Sequence, residues 1–183
     1  MELDWSGRRL NSLAAKMKKG NRQAAAAIYD ELASKVFGFC FSRVGKRALA
    51  EDLTQDIFLK LLDKVQTFDE GKGNFAVWFW RLARNTVIDY YREKKSLSFS
   101  DFGEEIESVA YAEPTASLDA KLAYEGLNNF LNSLSGEEKQ LFELRYIAEL
   151  SYKEIAGITE KSEVLLRVNM SRLKKKLKDN LKK

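Results

Sequence analysis

The 183 residues carry 31 Lys and Arg against 27 Asp and Glu, with 45% hydrophobic residues and a single proline, a composition for one large or two small soluble helical domains. One cysteine, Cys40, excludes an internal disulfide, and the absence of histidine removes the commonest general base and the commonest zinc ligand, so neither catalysis nor a metal or other cofactor is expected. No apolar run approaches the ~20 residues that span a bilayer, and Met1–Trp5 carries acids in place of an apolar signal core, which predicts a cytoplasmic chain with no membrane insertion.

Four helices are predicted in the first half. Arg8–Lys19 ends at Gly20-Asn21, and Arg22–Val44 runs through four consecutive alanines to Gly45. Cys40 lies in its apolar stretch Val36–Phe41, where a buried thiol is expected. Ala48–Val65 is strongly amphipathic: Leu53, Ile57, Leu61 and Val65 recur every four residues with Phe58 and Leu62 beside them, while Asp52, Gln55, Asp56, Lys60 and Asp63 fall elsewhere. The polar loop Asp69–Asn74 then precedes a helix over Phe75–Glu93.

Residues 96–117 contain Pro114 and five acids (Asp101, Glu104, Glu105, Glu107 and Glu113) with no basic residue, and are read as a linker. The blocks on either side, 1–95 and 118–183, carry net charges of +6 and +3, a distribution suited to two modules that face nucleic acid. In the second block a helix is predicted over Leu118–Asn132. Two capping boxes follow: Ser135 with Glu138 opens a helix to Ile147, and Ser151 with Glu154 opens a short one ending near Gly157. Ser162 N-caps a last helix reaching Asn180. A short helix, a turn and a longer basic helix form a helix-turn-helix, so the fold class is all-α, two small helical domains joined by an acidic linker.

The last helix carries one apolar stripe, Leu166, Met170, Leu173, Leu177 and Leu181, and eight basic residues against one acid from Val164 to Lys183. Such a helix can enter a major groove, with early residues at base edges and later lysines near phosphates; the plainer reading is a solvated basic face. In the first domain Phe75, Trp78, Phe79, Trp80, Tyr90 and Tyr91 share a helix with Arg81, Arg84 and Arg92, a mixture suited to stacking single-stranded bases, although at least half of the six rings are expected in the core. Asp52 and Asp56, one turn apart, form either a carboxylate pair for a metal or an exposed protein-binding face. The second is favoured beside Gln55 and Lys60.

The stretch Ala50-Glu51-Asp52-Leu53-Thr54-Gln55-Asp56-Ile57-Phe58-Leu59-Lys60-Leu61 resembles the polymerase-gripping region of bacterial RNA polymerase sigma factors. Phe68-Asp69, Gly73, Phe75, Trp78, Arg81-Leu82-Ala83-Arg84-Asn85 and Asp89 resemble their promoter-melting, minus-ten-reading segment, and Leu150–Ala156 is similar to the start of their minus-thirty-five helix-turn-helix. The two-module layout resembles the compact extracytoplasmic function (ECF) group. The resemblance implies a sigma factor that binds RNA polymerase core and directs promoter-specific initiation, without catalysis by this chain. It implies that Asp52, Gln55 and Asp56 dock on the polymerase. Asp69, Lys72, Asn74, Arg81, Arg84 and Asn85 would engage minus-ten DNA, and Arg167, Ser171, Arg172 and Lys175 the minus-thirty-five duplex. It also implies an anti-sigma factor as partner and a linker threaded through the polymerase. A helix-turn-helix regulator that binds operator DNA without the polymerase is the competing reading.

The chain departs from the family pattern at the turn of the second domain. Glu160 and Lys161 stand where glycine and an apolar residue are usual, Asn169 stands where arginine is frequent, and Val164 and Val168 lie on the side assigned to DNA, where polar residues are expected and where they would either touch thymine methyls or be buried by a partner. A non-glycine in a left-handed turn costs on the order of 1 kcal/mol.

Overall fold

The computed structural model describes residues 5–97, 130–131 and 133–180, and the chain divides into two compact units, residues 1–105 and 106–183. The linker at 96–117 and nearly all of the helix expected over 118–132 lie outside the described residues. Every regular element among the described residues is helical.

The first unit is built from α1 (Trp5–Lys18), α2 (Arg22–Val44), α3 (Arg47–Lys64) and α4 (Phe75–Leu97). Local chemistry sets their ends. The Asn21 side chain accepts a hydrogen bond from the Ala24 amide at 3.0 Å and starts α2; Gly45, at φ 67°, stops it and donates its amide to the Phe41 carbonyl at 2.9 Å. Four residues farther along than the expected Glu93, α4 ends at Leu97.

Apolar residues at three- and four-residue spacing face one another across these helices. Ile28, Leu32, Val36 and Phe39 on α2 pack with Leu53, Ile57, Phe58 and Leu61 on α3 and with Phe75, Phe79, Trp80 and Ala83 on α4, all buried. The centre is aromatic: Phe39 meets the edge of Trp80 at 5.5 Å between ring centroids, and Phe79 lies 5.8 Å from both Trp80 and Phe58. Cys40 is buried, as expected of a structural thiol. Phe75, Phe79 and Trp80 are core, while Trp78 and Tyr90 are half-buried and Tyr91 exposed. One expectation fails: Leu62, read as part of the buried stripe, is 54% exposed, because it sits a third of a turn from the α3 core line.

In the second unit α5 (Gly136–Phe142) continues into a single π-helical turn (Glu143–Ile147), followed by α6 (Tyr152–Thr159) and α7 (Glu163–Asn180). Both capping boxes form, Ser135 with Glu138 and Ser151 with Glu154. The Ser162 hydroxyl accepts from the Leu165 amide at 3.3 Å and opens α7. Leu141, Leu144, Leu150, Ile155, Ile158, Leu166, Met170 and Leu173 form the core. The turn between α6 and α7 keeps the left-handed geometry that glycine would favour: Glu160 stands at φ 59°, ψ 23°, and its amide closes α6 on the Ala156 carbonyl at 2.9 Å.

Two charge pairs tie α5 to the helix-turn-helix, Glu138 with Lys176 and Glu137 with Lys161 at 2.6 Å. The Lys176 ammonium, and then the Ser135 amide, hold the Glu138 carboxyl below the usual carboxylate range. A carboxyl lowered in the folded state contributes stability above its unfolded pKa and loses that contribution as pH falls through the lowered value. Glu138→Gln keeps a capping-box residue but loses the charge, so at pH 7 it should weaken hydrogen-exchange protection of α5 and α7 by at most about 1 kcal/mol. The difference from wild type should vanish below the folded pKa. Glu160→Gly should relieve the positive φ and raise protection of the α6–α7 amides by about 0.5–1 kcal/mol, whereas an unchanged or lowered protection would show that Glu160 is unstrained.

Candidate nucleic-acid and polymerase interfaces

Helix α3 has two chemically distinct exposed sides, both set by the phase in which it buries Leu53, Ile57 and Leu61. The side opposite the core carries Asp52, Gln55 and Asp56, all exposed, and continues through Leu59, 58% exposed, to Asp63. This face is acidic with apolar ground between the charges, which suits a protein surface better than a nucleic acid. The sequence reading leaves Leu59 out, although its place between Ile57 and Leu61 sets it opposite the buried stripe; Leu62, read beside that stripe, faces outward because of how the neighbours pack. Among the described residues no group of three or more Cys, Asp or Glu is placed to hold a metal.

The flank of α3 next to α4 is basic. Lys60 and Lys64, one turn apart, line a shallow groove with Thr67, Trp78, Arg81, Leu82, Asn85, Thr86 and Asp89. Arg81 and Asn85 are also one turn apart on the side of α4 away from Phe79 and Trp80, so the core that buries the rings turns these groups outward. Cations, an amide with donor and acceptor, and a half-buried indole thus converge on one groove, a combination that can hold phosphate and stack a base. Arg84, expected to act with them, does not line this groove and projects from another side of α4, where it is half-buried. Lys60 and Lys64 are additions that the sequence reading missed. Their i, i+4 spacing was the available signal, but which neighbour they face depends on packing.

The loop Asp69–Asn74 is folded tightly at the mouth of α4. Asp69 accepts from the Gly71 amide at 2.9 Å and pairs with Lys72 at 3.4 Å, while the Asn74 side chain accepts from the Ala76 amide at 2.8 Å. Asp69, Gly71, Lys72 and Gly73 are exposed. The loop is held from α1: the Asn11 side chain accepts from the Phe75 amide at 2.8 Å, the Lys18 ammonium donates to the Phe68 carbonyl at 2.6 Å, and Gln66 donates to the Lys18 carbonyl at 2.8 Å. Phe68 in turn packs on Phe75 and Trp78 at 5.4 and 5.7 Å, so the loop and the groove share one support.

In the second unit Leu166, Met170 and Leu173 bury one side of α7, and the other side presents Arg167, Ser171, Arg172 and Lys175, all exposed. The Arg167 guanidinium lies 4.6 Å from the Tyr152 ring centroid and 3.6 Å from the Glu163 carboxylate, which restrains a long side chain before any ligand arrives. Arg145 approaches the same ring at 5.4 Å and donates to the Leu150 carbonyl at 2.9 Å.

Among the described residues no helix is long and apolar enough to cross a membrane. Residues 28–97 match the family described as Sigma-70 region 2, and residues 124–177 match Sigma-70, region 4. The ECF RNA polymerase sigma factor SigM of Bacillus subtilis is 30% identical over 154 residues, covering 82% of this chain and 91% of that protein. The ECF RNA polymerase sigma factor BldN of Streptomyces coelicolor is 27% identical over 161 residues, 87% of this chain but only 61% of BldN. The sigma factor RpoE of Bartonella quintana, solved in complex with the anti-sigma factor NepR, superposes with a TM-score of 0.70 at 26% identity, covering 86% of this chain and 96% of that one. The α3 face, the groove beside α4 and the helix-turn-helix all lie inside the two matched regions, and the chain belongs to the ECF group of bacterial RNA polymerase sigma factors, the proteins that direct the polymerase to promoters for transcription initiation.

Proposed function

We propose that this sigma factor docks on RNA polymerase core through Asp52, Gln55, Asp56 and the adjoining Leu59, and opens promoter DNA with the basic flank of the same helix that faces α4. The unwound minus-ten strand would lie in the groove of Lys60, Lys64, Trp78, Arg81 and Asn85, entered past Asp69, Lys72 and Asn74, with Arg84 on a neighbouring phosphate. Helix α7 would read the minus-thirty-five duplex with Arg167, Ser171, Arg172 and Lys175. The chain itself catalyses no reaction and acts in the cytoplasm, and an anti-sigma factor of the kind bound to the Bartonella protein restrains it. The observation that carries this reading is the split character of α3: acidic and apolar outward, basic toward α4. An operator-binding regulator has no use for the outward face.

Size-exclusion chromatography with bacterial core polymerase tests the first half. Wild-type protein should co-elute, and the triple variant Asp52→Ala, Gln55→Ala, Asp56→Ala should elute separately while keeping its helical circular dichroism. Co-elution by that variant would overturn the assignment of the face. For the groove, Lys60→Ala with Arg81→Ala should leave co-elution intact and lower retention of an opened promoter fragment by about tenfold, the factor that roughly 1.4 kcal/mol produces. Equal retention by variant and wild type would remove the groove from the DNA path.

A further inference from the structure

Over its first two turns the centre of the exposed side of α7 is apolar. With about 100° between successive helical residues, the buried Leu166, Met170 and Leu173 define a core line, and the opposite line runs through Val164, Val168 and Lys175, with Ser171 beside it. Val164 is 72% exposed and Val168 42%. Arg167 and Arg172 stand on the two flanks of that line, and Arg167 is drawn aside by Tyr152 and Glu163. Both valines lie in the first two turns of α7, where the second helix of a helix-turn-helix meets base edges.

We propose that Val164 and Val168 are specificity-determining residues that read the 5-methyl groups of thymines in the minus-thirty-five element. The inference rests on the duplex-binding role of α7 given above and goes beyond it by naming the base feature read. A branched apolar side chain has no hydrogen bond to offer a base, and the thymine methyl is the one apolar group on the major-groove edge of the four DNA bases. The surroundings select DNA over an apolar protein surface as the occupant. From Glu163 to Asn180 the helix carries Arg167, Arg172, Lys174, Lys175 and Lys178, besides Lys176 paired with Glu138, against Glu163 and Asp179, so the two valines stand among cations that match the phosphates on both sides of a groove. The two valines are one helical turn apart, about 6 Å along the axis, which spans adjacent or next-adjacent base pairs.

The test isolates the methyl group. Holoenzyme assembled from the full chain and bacterial core polymerase selects duplexes from a library randomised over the minus-thirty-five and minus-ten regions. The selected duplex is then remade with each upstream thymine singly replaced by uracil, which lacks only the methyl. Uracil at one or two neighbouring positions should lower retention by wild-type holoenzyme about three- to fivefold, the factor expected for one buried methyl-sized group. The penalty should disappear with Val164→Ser or Val168→Ser and persist with Val164→Ile or Val168→Ile. Uracil tolerated at every position, or the same penalty in the serine variants, would overturn the proposal. So would serine variants that retain DNA as wild type but fail to bind an anti-sigma protein, since the valines would then face a protein partner. Failure of holoenzyme to form, or to select any duplex, would instead strike the sigma-factor assignment of the faces and is read separately by co-elution.

Discussion

Helix α4 can bury Phe75, Phe79, Trp80 and Ala83 in only one rotational phase, and the rest of the first unit follows from that constraint. The two large rings fill the space between α2 and α3, where Phe39 and Phe58 receive them. Rotating α4 by one residue so that Arg81 took the place of Trp80 would set a guanidinium among the buried rings. Burial of aromatic area therefore holds a polar constellation in place without contacting it. The same logic governs α3, whose single buried stripe turns an acidic face outward and sets a basic flank beside α4.

The loop before α4 carries too little apolar surface to position itself. Its support comes from α1, across 48 to 64 residues of sequence: Asn11 receives the Phe75 amide, Lys18 reaches the Phe68 carbonyl, and Gln66 returns a bond to the Lys18 carbonyl. Each satisfies a backbone group that a helix end or tight turn leaves without an intrahelical partner. Helix α1 precedes the region 2 match at residues 28–97, yet it sets the entry to the groove.

End-capping is prominent in the second unit. Among the described residues its core is smaller, and two capping boxes and two cross-helix charge pairs surround a turn that runs through a left-handed glutamate. The turn is retained despite the missing glycine because α6 and α7 must cross closely enough for Ile155 and Ile158 to meet Leu166 and Met170. That burial outweighs a backbone cost on the order of 1 kcal/mol.

Much of this was legible in the linear pattern. Gly45 ending α2, the capping boxes at Ser135 and Ser151, the Ser162 cap and the apolar period of α7 act within one or two turns, so their chemistry is local and their positions follow from residue order. The quoted motifs likewise brought out the family resemblance and the outward acids of α3. Other features were out of reach because they depend on which helix lies beside which. Leu62 lies beside the apolar stripe yet faces outward, Lys60 and Lys64 share a groove with Arg81 and Asn85, and Arg84 is turned away from it. A helical sequence specifies an apolar arc, but its edges are set by the width of the neighbours that pack on it, and that width is a property of the assembled core.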